Sequence, residues 1–203
     1  MTDITTEHLL SSYAAGNRHF RRANLSGIDL SGANLPGICF DCSNLSGANL
    51  SGANLSGASL RESILHEVNL ERVNLFGAKL IRVESHNANW RRVYLDGANL
   101  QNAYLKSVDL EGATFRGAQL NRITFSECNM RNINLEGAIW NDSNGGGIWN
   151  VDLTGAIGFD PDDIAGNNII LPDGEFLKDA WEFIKRNGKL DRPRRLNQPS
   201  DFD

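Results

Sequence analysis

The 203-residue chain is poor in cysteine, in long apolar stretches and in net positive charge. Three cysteines are too few for a disulfide framework, which favours a reducing compartment. No stretch approaches the ~20 apolar residues that a membrane-spanning helix needs, and the N-terminus lacks the basic and apolar segments of a secretory signal. Twenty basic against 25 acidic residues leave a formal net charge of −5, which disfavours direct nucleic-acid binding driven by positive charge. We therefore expect a cytoplasmic protein without a membrane segment.

A five-residue period dominates the middle of the chain. From Phe20 to Trp140 every fifth residue is large and apolar, with Ser85 as the single exception, and a small or β-branched residue usually lies two positions earlier. On an α-helix such residues would rotate by about 140° from one to the next, and on a flat strand they would alternate between the two faces. A short extended segment followed by a corner keeps them all on the inside. The pattern therefore predicts a chain that winds around an apolar lumen.

A second period of 20 residues overlies the first and indicates four sides per turn. One column of corner positions is entirely glycine and a second column is entirely Asp or Asn, whereas the corner column that begins at Arg22 has no glycine. The all-glycine corner predicts a positive φ, as at the third residue of a type II turn. The glycine column is Gly37, Gly57, Gly77, Gly97, Gly117 and Gly137, and the Asp/Asn column is Asp29, Asn49, Asn69, Asn89, Asp109 and Asn129.

Tandem units of the form A[N/D]LxG, such as residues 48–52, run almost without a break through residues 18–158. This pattern resembles the pentapeptide repeat family, and the stretch from Tyr13 to Phe20 resembles the lead-in of its stand-alone cyanobacterial members. The resemblance implies an all-β solenoid, a right-handed quadrilateral β-helix of about seven coils whose neighbouring coils pair edge to edge. Most of the family has no established activity. Some members bind DNA gyrase by resembling duplex DNA and protect it from quinolones.

A solenoid has two open ends, which need to be covered. Residues 1–17 are predicted to form an N-terminal helical cap, with the helix over residues 4–15 and its stop at Gly16. An irregular corner with three extra residues is expected near 141–147, where the period shifts. In the C-terminal segment 159–203 we predict a helix at about 175–186 and a mobile tail from Asp191. The apolar face of that helix either covers the last coil or mediates a homodimer.

No catalytic motif stands in a suitable context, so we expect no enzyme activity and no cofactor or bound metal. Cys39 and Cys42 form a C-x-x-C without a second pair, which disfavours a zinc site. His66 and His86 lie one coil apart in the same corner column and are followed by Lys106. They form either a metal-binding pair or, as we prefer, a solvated column.

The charges of the repeat region are balanced and alternate in sign along single corner columns, for example Glu71, Arg91, Glu111 and Arg131. Facing neighbours then pair across coils and stabilise the stack. A mimic of duplex DNA needs a strongly negative surface instead. Gyrase binding is therefore retained only as the alternative function.

Exposed apolar residues interrupt a polar surface at a few positions. Four of them form the candidate binding patch for a protein partner that the sequence does not identify. The leading prediction is thus a non-catalytic protein-binding or scaffold module, with regulation as one role open to it, that acts through its side faces or its C-terminal segment. The patch residues are Phe76, Ile81, Tyr94 and Tyr104.

Overall fold

The computed structural model describes residues 4–140, 146–159 and 166–179. From His19 to Gln119 each outward residue forms a parallel β-bridge with the residue 20 positions later, as Asn49 does with Asn69. Four such bridges fall within each set of 20 residues, one for every five-residue unit. One coil therefore contains 20 residues and has four walls, and neighbouring coils are joined by backbone hydrogen bonds.

The predicted lumen is confirmed by burial. The large apolar residues at the five-residue positions are buried from Phe20 to Leu135, together with the small or β-branched residue two positions before most of them. Ser85 is also fully buried, and its Oγ donates a hydrogen bond to the backbone oxygen of Leu65 at 2.9 Å. This polar member of the large-residue series is therefore satisfied by the coil below it, and removal of apolar surface from water holds the apolar members inside.

The N-terminal helix α1 spans Thr6–Ala14 and lies within the predicted range. Thr5 caps it by accepting a hydrogen bond from the backbone N–H of His8, and Gly16 follows it with a φ of +99°. Leu9 is fully buried with the lumen residues. The Tyr13 hydroxyl donates to the backbone oxygen of Pro36 at 2.8 Å. The helix therefore packs against the first coil.

Regular strands begin on one wall, and the other bridges are isolated. The strands are β1 Glu84–His86, β2 Tyr104–Lys106, β3 Thr124–Ser126, β4 Gly147–Asp152, β5 Gly166–Ile170 and β6 Phe176–Asp179. They form a single six-stranded sheet in chain order, parallel from β1 to β5, with β6 antiparallel to β5. β4 continues around a corner to the next wall, where Asp152 pairs with Asn129.

The corners take left-handed backbone in more places than the glycine pattern predicts. Gly57, in the all-glycine column, has a φ of +66°, as expected. Yet Arg82, in the column without glycine, has a φ of +58°, and Arg72 has the same value. The residue types do not predict these corners, because the coil geometry imposes a positive φ whichever residue is present. For a residue with a Cβ, this backbone conformation costs about 1 kcal/mol or more of conformational free energy.

The shift of three residues after Trp140 is confirmed by the strand register. Phe125 pairs with Ile148 and Asn134 with Ile157, a separation of 23 residues instead of 20. Residues 141–145 of the irregular corner lie outside the described residues. The insertion is absorbed before β4, because Ile148 and Leu153 are again buried in the lumen.

The helix predicted at about 175–186 is wrong where the structure describes it, because Phe176–Asp179 form strand β6. Parallel pairing with β4 continues past residue 158 through β5, so the outer edge of β5 needs a partner. β6 turns back to supply it after Pro172-Asp173-Gly174, where Gly174 has a φ of +90°. A Pro-Asp-Gly turn between apolar segments is a hairpin signal that outweighs the helical spacing of the apolar residues.

The rest of the C-terminal segment lies outside the described residues. That part includes residues 180–186 of the predicted helix, the tail predicted to be mobile, and most of the helical face that we expect to cover the last coil or to mediate a homodimer.

Candidate protein-binding site

Phe76 and Tyr94 lie on the same wall in successive coils. Tyr94 forms a β-bridge with Asn74, and the Asn74 side chain accepts the backbone N–H of Phe76 at 3.0 Å. The Phe76 side chain is 61% exposed and that of Tyr94 is 50% exposed. Up to the insertion the other outward positions of this wall are Asn34, Asn54, Asn74, Thr114 and Asn134, so Tyr94 interrupts a polar column. Phe76 lies in the adjacent corner column, between Ser56 and Asp96.

The all-glycine corner borders these two rings. A Cβ placed on Gly57, Gly77 or Gly97 would meet nothing within 4 Å. The backbone of this corner is therefore open to solvent, and nothing at these positions projects above it. We refer to Phe76, Tyr94 and these three glycines as the aromatic edge.

The other two predicted patch residues lie elsewhere. Tyr104 begins β2, two walls away from Tyr94 along the coil, and is 38% exposed. Ile81 is half-buried at the corner that precedes the wall of β1. The four residues therefore do not form one continuous surface, and only Phe76 and Tyr94 belong together. The sequence could not separate them, because each is one exposed apolar residue at a different position of the coil.

Three further exposed apolar residues were missed and belong to the C-terminal part of the stack. Ile139 and Ile157 are each more than half exposed, as is Phe176 on β6. Ile139 and Ile157 occupy outward positions of the five-residue period, so the sequence does carry a signal for them.

We also find an open cleft of about 410 Å³ between α1 and the first coil. Its basic lining residues are His8, His19, Arg21 and Arg22.

Charged side chains pair across coils at some of the predicted columns. In the column of Glu71, Arg91, Glu111 and Arg131 the described ion pair is Arg91–Glu111, whereas Glu71 lies near Arg72 and Arg131 near Asp152. Arg91 Nη1 donates to Glu111 at 2.7 Å and to Asp109 at 3.0 Å. These hydrogen bonds, the one to Asp109 first, raise the pKa of Arg91 above its ordinary value. Arg82 and Glu62 are 3.2 Å apart, and Arg116 and Glu136 are 3.4 Å apart. The pairs are largely solvated, so each adds little to stability, but together they neutralise the surface locally.

His66 and His86 stack with ring centroids 4.4 Å apart, which brings them together as their spacing predicts. Ring nitrogens coordinate a metal in the plane of each ring, and stacked rings do not direct their lone pairs to a common point. Across the described residues we find no group of three His, Cys, Asp or Glu side chains that could hold a metal ion.

The cysteines provide no reactive centre that the structure supports. Cys42 is exposed and Cys39 is half-buried, and both thiols are free. Cys128 is buried within the lumen, where burial raises the pKa of its thiol to about 11. A thiol with so high a pKa is a poor nucleophile near neutral pH, so Cys128 serves as a core residue.

The helical residues described include no segment long and apolar enough to cross a membrane.

Comparison with known proteins agrees with this architecture. The chain matches the family described as Pentapeptide repeats in eight copies, over residues 19–40, 43–82, 86–112 and 103–139, which together exceed half of the chain. No curated protein matches.

Three solved structures illustrate the similarity. The pentapeptide repeat protein alr5209 from Nostoc PCC 7120 is 36% identical, with 52% of this chain and 84% of that chain covered and a TM-score of 0.38. HetL from Nostoc sp. strain PCC 7120, which is involved in heterocyst differentiation regulation, is 24% identical over 85% of this chain and 99% of its own, with a TM-score of 0.31. QnrB1, a plasmid-mediated fluoroquinolone resistance protein, is 18% identical over 84% and 90%, with a TM-score of 0.31. From the family match and the 20-residue register, the chain belongs to the pentapeptide repeat family.

Proposed function

We propose that this protein is a non-catalytic, cytoplasmic protein-binding module, and that the aromatic edge is where its partner docks. The observation that carries the proposal is the exposure of Phe76 and Tyr94 in successive coils, beside outward positions that are polar up to the insertion. Aromatic side chains are enriched in the buried centres of protein interfaces because they offer a large contact area at a small cost in conformational entropy. Two rings on neighbouring coils supply such a centre.

The glycine corner favours a partner that approaches closely. Because no side chain projects from Gly57, Gly77 and Gly97, a partner surface can reach the rings without displacing other groups. Further along the same corner Asp96 accepts the backbone N–H of Arg116 at 3.0 Å, and Arg116 pairs with Glu136. An apolar centre beside a polar, charge-paired border has the organisation of a docking site for a folded protein.

The lumen supports a binding role rather than catalysis. The part of the lumen that the structure describes is filled almost entirely by buried apolar side chains, so it offers no space for a substrate among converging titratable groups. We further propose that the coils wind in a right-handed sense, number about seven, and are closed at the N-terminal end by α1.

Affinity capture with matched variants tests the proposal. The tagged protein is expressed in its source organism and cross-linked, and its partners are compared between wild type, a Phe76→Ala/Tyr94→Ala double variant and Tyr104→Ala. Tyr104 is the control because it is also an exposed aromatic residue but lies two walls away. We expect the double variant to lose a partner that Tyr104→Ala retains. Equal capture by all three proteins would contradict the assignment of the aromatic edge.

A further inference from the structure

The His66–His86 stack is unusual because each ring has a buried nitrogen without a partner. His66 Nδ1 and His86 Nε2 are both inaccessible to solvent and have no hydrogen-bond partner among the described residues. Burying an N–H group without an acceptor costs free energy. Each of these two nitrogens is therefore better left unprotonated, with its lone pair free, as in a neutral imidazole ring. Protonation would place an N–H on each of them. The surrounding structure therefore favours the neutral form of His86.

Most of the neighbouring charges also disfavour protonation of His86. The stacked rings are 4.4 Å apart, so two imidazolium ions there would repel each other. Lys106 follows His86 in the same column across the β1–β2 pairing. Burial first, and then the charges of His66 and Lys106, lower the pKa of His86, whereas the carboxylate of Glu84 on β1 opposes the shift.

The remaining described groups around the stack are not placed to neutralise the positive charge of a protonated ring. Tyr104 on β2 meets the His86 ring edge-on, with centroids 5.4 Å apart. Glu127 lies 3.7 Å from Lys106 Nζ and also accepts a hydrogen bond from Ser107, so it is already engaged. Glu67 follows His66 in the chain and is exposed to solvent, which weakens its attraction for a charged ring.

We propose that the His66–His86 pair makes the wall of β1 and β2 sensitive to mild acid. When His86 takes up a proton at its buried nitrogen, the stack separates and the coils that it joins loosen, while the rest of the solenoid stays paired. The direction follows from linkage. A histidine whose pKa is lower in the folded state binds more protons when unfolded, so stability falls as the pH drops below the ordinary histidine pKa of 6.5. The inference does not depend on the aromatic edge, which lies on another wall.

Serine is the matched replacement, because Ser26, Ser46 and Ser126 occupy the same column in other coils. Unfolding in denaturant is measured at about pH 7.5 and about pH 5.5 for wild type, His86→Ser and the control His19→Ser, a window that histidine titration dominates. We expect the unfolding equilibrium constant of wild type and His19→Ser to rise several-fold on acidification. The rise should be largely absent in His86→Ser. Equal pH dependence in all three proteins would overturn the proposal.

Proton NMR of the imidazole rings provides a readout that does not depend on global stability. We expect His86 to titrate below the ordinary histidine range in wild type, and to move back toward that range in His66→Ser, because the neighbouring charge is removed. A His86 titration that His66→Ser leaves unchanged would show that the rings do not interact, and would refute the proposal even if His86→Ser failed to fold.

Discussion

Asn89 donates a hydrogen bond from its side-chain nitrogen to the side-chain oxygen of Asn69, at 3.1 Å, across the boundary between two coils. The same oxygen of Asn69 accepts the backbone N–H of Glu71 at 3.1 Å and so shapes the corner that follows. Asn69 in turn donates to Asn49 at 3.2 Å. One asparagine therefore joins three coils and fixes one corner, which explains why the column contains only Asp and Asn.

Replacing Asn69 with alanine is expected to destabilise the protein by about 2–3 kcal/mol, because it removes two inter-coil hydrogen bonds and one corner bond at about 1 kcal/mol each. Asn69→Asp is the matched control, because it keeps the acceptor and loses only the donor to Asn49. We expect it to have a smaller effect. Urea unfolding measures both, and an equal loss for the two variants would refute the dual role of the side chain.

The glycine corners permit a test that separates backbone strain from steric contact. Gly57→Ala introduces a Cβ into open space at a φ of +66°, so its cost is conformational and should be about 1 kcal/mol. At Gly158 the φ is +73°, and the Cβ would also lie 2.6 Å from the backbone nitrogen of Glu136. We therefore expect Gly158→Ala to lower the unfolding midpoint markedly more than Gly57→Ala. The reverse order would contradict the described corner at Gly158.

The C-terminal hairpin predicts opposite responses at adjacent residues. Leu177 is buried against the end of the stack and Phe176 points outward, an alternation that a strand produces. Leu177→Lys should destabilise the protein by several kcal/mol, whereas Phe176→Lys should change the thermal midpoint little. A helix with one apolar face would make both substitutions harmful, so similar losses would argue for the helix over β6.

The paired surface charges predict that the protein does not act as a mimic of duplex DNA. Arg91, Arg82 and Arg116 neutralise carboxylates along their corner columns, and a duplex mimic needs an unbroken negative surface. We expect no change in DNA supercoiling by gyrase when the protein is added in large molar excess. Inhibition at stoichiometric amounts would replace the proposed function with gyrase binding.

The sequence was sufficient for the repeat architecture because local and long-range requirements coincide there. Each five-residue unit places one apolar side chain in the lumen, and the Asp/Asn column reports the 20-residue coil directly. Residue types did not reveal the left-handed corners at Arg72 and Arg82, since the neighbouring coils impose that backbone on an ordinary side chain.

The C-terminal prediction failed where pairing with the preceding strand β5 decided the outcome. The apolar residues near Phe176 fit helical spacing, yet the exposed edge of β5 provides backbone partners that an isolated helix would not use. Only the coil geometry shows that the four predicted patch residues do not lie together, because it places Tyr104 and Phe76 two walls apart. From the sequence one can infer that these residues are exposed, but not on which wall each of them lies.

Cysteine cross-linking tests the 20-residue coil most directly. In a background with the three native cysteines replaced by serine, cysteines are introduced at Asn49 and Asn69, which are bridge partners, or at Asn49 and Ile64, which lie on different walls. Paired strands are about 4.8 Å apart, within reach of a disulfide. We predict that mild oxidation cross-links the Asn49/Asn69 pair within one chain and leaves the Asn49/Ile64 pair reduced. Preferential cross-linking of the Asn49/Ile64 pair would contradict a coil of four walls.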